Sequence, residues 1–115
     1  MTYVLIAMTL LAFVESAASA QLKPGDADNG KKIFLRNGCY QCHGTVGQGG
    51  SGGARLAQTK LTQAGLTAYV RNPRPGGMPP YRAKVMSDQE LADVYAYIKS
   101  LPEPLLPKDI PQLKD

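Results

Sequence analysis

Apolar residues along this chain follow two patterns, one run interrupted only by Thr9 and a set of helical spacings. The run covers Val4 to Val14. Near the other end, Leu91, Val94, Tyr95, Ile98 and Leu101 recur at intervals of three and four, which places them on one stripe of an amphipathic helix. Ser87-Asp88-Gln89-Glu90 stands in front of that stripe, and a serine followed three positions later by glutamate is the capping box that opens a helix. Met86 before the cap and Leu91 after it are spaced to pack as a hydrophobic staple. A shorter helix is expected over residues 62–71, with Leu66, Tyr69 and Val70 on one side. Pro73 ends it, because a proline pushes the residue before it out of helical conformation. The stretch "GDADNGKKIFLRNG" predicts the first helix. Asp26 is its N-cap, Asp28 favours the positive end of the dipole, Lys31, Lys32 and Arg36 follow, and Asn37-Gly38 stops it. No segment reads convincingly as a strand, so the expected class is all-α with three main helices.

Between these helices the chain is punctuated. Residues 44–53, "GTVGQGGSGG", hold six glycines and form either a flexible linker or a backbone lying close to something flat. "NPRPGGMPPY" is a proline-stiffened extended loop. "PEPLLPKDIPQLKD" carries four prolines and is expected to run extended along the surface or out into solvent. The initial apolar run falls short of the ~20 residues that span a bilayer. It is followed by Glu15 and by Ala18-Ser19-Ala20, the small-residue pattern of a signal-peptidase site. Residues 1–20 are therefore expected to be a signal peptide cleaved after Ala20, although no Lys or Arg precedes the run. Residues 21–104 would form one domain and residues 105–115 a proline-rich tail. Membrane attachment would require the leader to stay uncleaved.

Composition then raises a question about the core. The chain has no Trp, and Phe34 is the one phenylalanine beyond the leader, while a domain this small buries little more than ~60% of its unfolded surface. The two cysteines and the one histidine of the whole chain fall together in "CYQCHG", as Cys39, Cys42 and His43. A disulfide between residues 39 and 42 would close a very small loop and constrain little of the unfolded chain. A thioredoxin-like site wants a βαβ setting, structural zinc wants four ligands, and an iron–sulfur cluster usually wants four thiolates. Covalent c-type haem attachment uses every residue of the motif. Each thiol adds across one haem vinyl group, and His43 is delivered to the iron from one face. A bound haem would also supply the missing apolar bulk.

From about Gly25 to Leu101 the chain resembles the class I c-type cytochromes. Gly30 and Phe34 match the glycine and the aromatic four residues on in the family's N-terminal helix, and "VYAYIKSL" matches its C-terminal helix. The resemblance implies the cytochrome c fold, in which these two helices cross in contact. It also implies that "MP", here Met78-Pro79-Pro80-Tyr81, supplies the second iron ligand. Met86 is already used as a helix staple, whereas Met78 lies between Gly76-Gly77 and two prolines that stiffen its loop. Where similar family members have Gly-Pro, this chain has Gly53-Ala54, and the Ala54 carbonyl is expected to accept the imidazole N–H. Arg55 is expected to pair a haem propionate, and Tyr40, Gln41 and Tyr81 to border the haem edge.

The resemblance implies an electron carrier with one haem c, exported to the periplasm and passing electrons between a dehydrogenase and a downstream acceptor. The alternatives are a cytochrome subunit of a larger oxidoreductase complex, or a five-coordinate haem with peroxidase or gas-binding activity if Met78 does not ligate. With Glu15 removed, 13 basic and eight acidic residues leave a formal charge of +5, about +3 once two ionised propionates are counted. Arg71, Arg74, Arg82 and Lys84 flank the Met78 loop, which implies redox partners with an acidic docking surface. The chain is expected to be a monomer or a subunit of a dehydrogenase complex. No nucleic-acid recognition motif is present.

Overall fold

Asp26 opens the first helix as its spacing requires. Its carboxylate accepts the backbone N–H groups of Asp28 and Asn29 at 2.9 and 3.1 Å, satisfying donors that a helix start leaves without partners. The computed structural model describes residues 21–113; the expected leader, residues 1–20, and the last two residues of the tail lie outside the described residues. Helix α1 spans Ala27–Arg36, α2 Cys39–His43, α3 Gln63–Arg71 and α4 Asp88–Ser100, followed by single 3-10 turns at Pro107–Asp109 and Pro111–Leu113. Among the described residues there is no strand, only an isolated bridge between Gly50 and Gly53. The chain is all-α.

Helix α4 carries the capping box in full: Ser87 Oγ accepts the Glu90 N–H at 3.1 Å, and the Glu90 carboxylate accepts the Ser87 N–H at 2.8 Å. Met86 and Leu91, the expected staple pair, are 2% and 1% exposed and belong to one core cluster. Thr62 caps α3 through the Gly65 N–H at 3.1 Å. Two features depart from the sequence reading. The cysteine motif forms its own short helix, entered from Gly38 in the left-handed region, and the proline-rich tail winds into two exposed turns.

The core lies where α1 crosses α4. Ile33 and Phe34 from α1 meet Leu91, Val94, Tyr97 and Ile98 from α4, all buried. The Phe34 and Tyr97 rings pack edge to face with centroids 5.4 Å apart, a geometry that suits their opposed ring quadrupoles. Gly30 sets the depth of the crossing. A Cβ there would collide with the Asp93 carbonyl and stand 2.9 Å from Tyr97 Cβ. Asp93, 5% exposed, lies on the same face. It accepts the Asp26 N–H at 2.9 Å, Asn29 Nδ2 at 2.7 Å and Gln89 Nε2 at 3.2 Å. Burial pushes its carboxyl up, but these three donors outweigh burial and hold it below the usual carboxylate range.

Adding even one methyl group at Gly30 forces the two backbones apart, and overpacking of this kind costs about 1–3 kcal/mol. Gly30→Ala is therefore expected to lower Tm by roughly 5–15 °C in a domain of this size, and Gly30→Val by more. Thermal unfolding in which Gly30→Val matches the wild type would show that the crossing is not in contact there.

Candidate functional site

The crossing leaves one face of the α1–α4 core uncovered by helix. Over that face lies a cavity of about 730 Å³. Phe34, Leu66, Val70, Leu91, Val94 and Ile98 form its apolar wall. Cys39, Cys42 and His43 stand at one edge, and Met78, Pro79 and Tyr81 from the loop between α3 and α4 line it as well. Residues separated by almost forty positions in sequence thus share one chamber.

Each part of the rim is fixed by a local device. Asn37 and Gly38 link α1 directly to α2, so the cysteines emerge beside Phe34. Cys39 is half-buried and Cys42 exposed, and both thiols are free. Burial pushes the Cys39 thiol above its ordinary value. The His43 ring is anchored from behind, with Nδ1 2.7 Å from the Ala54 carbonyl oxygen. A carbonyl can only accept, so Nδ1 carries the proton and Nε2 keeps a free lone pair for a metal. Gly53 makes this possible, because a Cβ at that position would lie 3.0 Å from His43 Nδ1 and Cε1. The glycine-rich segment is accordingly an ordered loop. Gly49 donates to the His43 carbonyl at 2.8 Å, and Leu56 and Ala57 donate to the Gly47 carbonyl at 2.8 and 2.9 Å.

The remaining expected site residues fall as follows. Arg55 lines the cavity rim and contacts Glu103 at 3.5 Å, with both side chains well exposed, so the guanidinium is held weakly. The Tyr81 ring borders the cavity, and its hydroxyl donates to the Asn37 carbonyl at 3.1 Å. Gln41 lines the cavity, whereas Tyr40 stands outside it, 37% exposed. Arg71 does not belong to a solvent-facing basic rim. Its side chain is 17% exposed and points inward, with Nη1 donating to the carbonyls of Tyr81 and Met86 at 2.7 and 2.6 Å and Nη2 pairing with Asp88. Arg74, Arg82 and Lys84 are exposed. Sequence reasoning also missed Gln58. Its side chain donates to the Lys99 and Leu101 carbonyls at 2.8 and 2.6 Å and ties the loop after Arg55 to the end of α4.

The cavity fits a haem. Its volume lies in the range of cofactor sites, about 300–1,000 Å³, its wall is apolar, and its donor set holds two thiols, an imidazole with a free Nε2 and a thioether.

This combination defines a covalent single-haem site of the c type. Residues 25–98 match the family described as cytochrome c oxidase, cbb3-type, subunit III. The chain is 31% identical over 94 residues to the cbb3-type cytochrome c oxidase subunit CcoP of Rubrivivax gelatinosus, an alignment covering 77% of this chain and 31% of that subunit. It is 30% identical over 108 residues to cytochrome c-555 of Methylococcus capsulatus, covering 92% of this chain and 86% of the relative. The chain thus spans about a third of the length of the first relative and most of the second. No solved structure matches. The chain belongs to this family of small class I c-type cytochromes, electron-transfer proteins that carry covalently bound haem c. Among the described residues no helix is long and apolar enough to cross a membrane.

Two thioethers survive conditions that release a merely ligated haem. The holoprotein is expected to keep its haem through acid–acetone extraction, while protein produced without haem attachment should show little cooperative unfolding by circular dichroism. Free extraction of haem, or a cooperatively folded apoprotein, would contradict the site described here.

Proposed function

We propose that the mature chain, released by cleavage after Ala20, is a periplasmic one-electron carrier in which Cys39 and Cys42 hold the haem and His43 and Met78 occupy its two axial positions. The observation that supports this most is the convergence of His43, with its Nδ1–H committed to Ala54, and Met78 on one apolar cavity. When bound, haem c supplies a one-electron Fe(II)/Fe(III) couple.

The chain's own residues then set how that couple is used. With imidazole and thioether both holding the iron, no position would be left open for a substrate, which favours a carrier over an enzyme. The thioether of Met78 is a soft donor that favours the ferrous state and raises the potential. The apolar wall from Phe34 to Ile98 would keep water from the haem face it meets, so that little solvent would reorient when the charge changes. Arg55 is held weakly enough by Glu103 to turn toward a propionate. Arg74, Arg82 and Lys84 leave positive charge around the Met78 loop, which supports docking on acidic partners, a dehydrogenase as donor and a downstream acceptor. In this reading residues 21–104 are the working domain and 105–115 an appended tail.

Similarity to a CcoP subunit supports a second reading, in which the chain is the cytochrome subunit of a larger oxidoreductase complex. The chemistry is the same and the partner differs. A carrier purifies as a monomer, whereas a subunit copurifies with its enzyme.

The axial assignment is checked by two variants. Met78→Ala should abolish the near-infrared Fe(III)–sulfur band and lower the potential, while Met86→Leu, which nearly conserves volume, should keep both. The reverse result would transfer the ligand to Met86. Docking by charge is checked by kinetics: electron transfer with an acidic partner should slow as ionic strength rises, and charge reversal at Arg74 or Lys84 should slow it at low salt. Rates indifferent to salt would reduce these residues to solubilising charge.

A further inference from the structure

The segment that carries Met78 is an arch with little structure of its own. Among the described residues, the one backbone hydrogen bond within 73–80 is a turn, Gly77 N–H to the Arg74 carbonyl at 3.1 Å. Two prolines at its far end stiffen the arch without fixing its position. What holds it is concentrated at its feet. The near foot is the end of α3, where the Asn72 N–H donates to the Ala68 and Tyr69 carbonyls, both at 3.1 Å.

The far foot is Tyr81, and it is held from three sides. Its N–H donates to the Val70 carbonyl at 3.0 Å, its carbonyl accepts Arg71 Nη1 at 2.7 Å, and its hydroxyl donates to the Asn37 carbonyl at 3.1 Å. Arg71 does more than one of these jobs. The same Nη1 also donates to the Met86 carbonyl at 2.6 Å, and Nη2 reaches Asp88 in the first turn of α4. One guanidinium, mostly shielded from water, therefore ties the end of α3, the far foot of the arch and the start of α4 into one knot. Hydrogen bonds from a charged donor are stronger than neutral ones and short of competitors in a shielded site. The fork of donors has no equivalent in lysine.

We propose that Arg71, with Tyr81, is a positioning residue for Met78: the knot at the far foot holds the arch closed, so that the thioether stays at the sixth position and foreign ligands are kept out. The proposal rests on Met78 as the axial ligand and goes beyond it. A methionine on a loosely held arch would leave the iron open for part of the time. Any added ligand would then bind in proportion to that open fraction.

The test uses the oxidised holoprotein and imidazole as the competing ligand. Arg71→Gln should bind imidazole about tenfold or more tightly, because the open fraction grows as the charged donor is lost, and should lose part of the near-infrared sulfur band. Arg71→Lys should restore little, since an ammonium cannot reach three partners in the fork geometry. Ile33→Val, a core change away from the cavity, should lower thermal stability with no effect on imidazole binding. The proposal is overturned if Arg71→Gln binds imidazole within twofold of the wild type with its band intact, or if Ile33→Val raises imidazole affinity as much as Arg71→Gln. Should Arg71→Gln fail to mature, Tyr81→Phe removes one anchor of the same foot and keeps the ring, and an unchanged imidazole affinity in that variant overturns the proposal equally. Wild-type and Met78→Ala spectra separate the two ideas. A sulfur band that persists in Met78→Ala defeats the ligand assignment, whereas a band lost there but unmoved by the Arg71 and Tyr81 changes defeats the positioning role alone.

Discussion

Backbone contact between α1 and α4 at Gly30 and Asp93 is the constraint on which the rest of the molecule depends. It exists because Gly30 has no side chain to hold the helices apart. The close approach brings Phe34 edge-on to Tyr97 and aligns Leu91, Val94 and Ile98 as a continuous apolar surface. It also fixes where the cysteine helix begins, since only Asn37 and Gly38 separate α1 from α2. The Asp93 carboxylate, with its three donors from residues 26, 29 and 89, secures the same crossing from its outer edge.

The other side of the site is built by loops, and loops need external fastening because they lack internal ladders. Here the fastening is done by side chains bonding to backbone carbonyls. His43 is braced on Ala54, the end of α4 is gripped by Gln58, and the foot of the Met78 arch is gripped by Arg71 and tied to α1 through Tyr81. Such bonds direct a ligand precisely only if their acceptors are themselves held. Asn37 and Leu101 lie at helix ends, and Ala54 sits in a loop whose backbone closes on Gly47 and His43. A haem held between these two halves would complete the core and supply apolar bulk that a chain without tryptophan lacks.

Much of this was legible in the sequence because the signals were local. The capping box at Ser87, the Asp26 cap and the three-and-four spacing of Leu91, Val94 and Ile98 each depend on neighbours within one or two turns, and these helices begin where they indicate. The cysteine motif named the cofactor for the same reason, and Ala54 stood where a carbonyl was needed. What stayed hidden was long-range. Nothing near Arg71 in sequence distinguishes an inward clamp from a solubilising surface charge, since its acceptors are carbonyls ten and fifteen residues away. Asp93 and Gln58 were missed likewise, because each finds its partners across the fold. The short helix over Cys39–His43 carries no apolar period to announce it, and Tyr40 was set at the haem edge by adjacency alone although the helix turns it outward.

In the reading proposed above, a covalent haem on this wall would be reached by the braced His43 and by Met78 of the arch, an arrangement suited to passing single electrons. The coordination sphere of the iron is the part of this account on which both the carrier reading and the role of the arch converge. X-ray absorption at the iron K-edge of the oxidised holoprotein examines it directly. The account predicts a single sulfur neighbour at thioether distance beside the nitrogen shell; a shell of nitrogen and oxygen alone, or one with a vacant position, would contradict it.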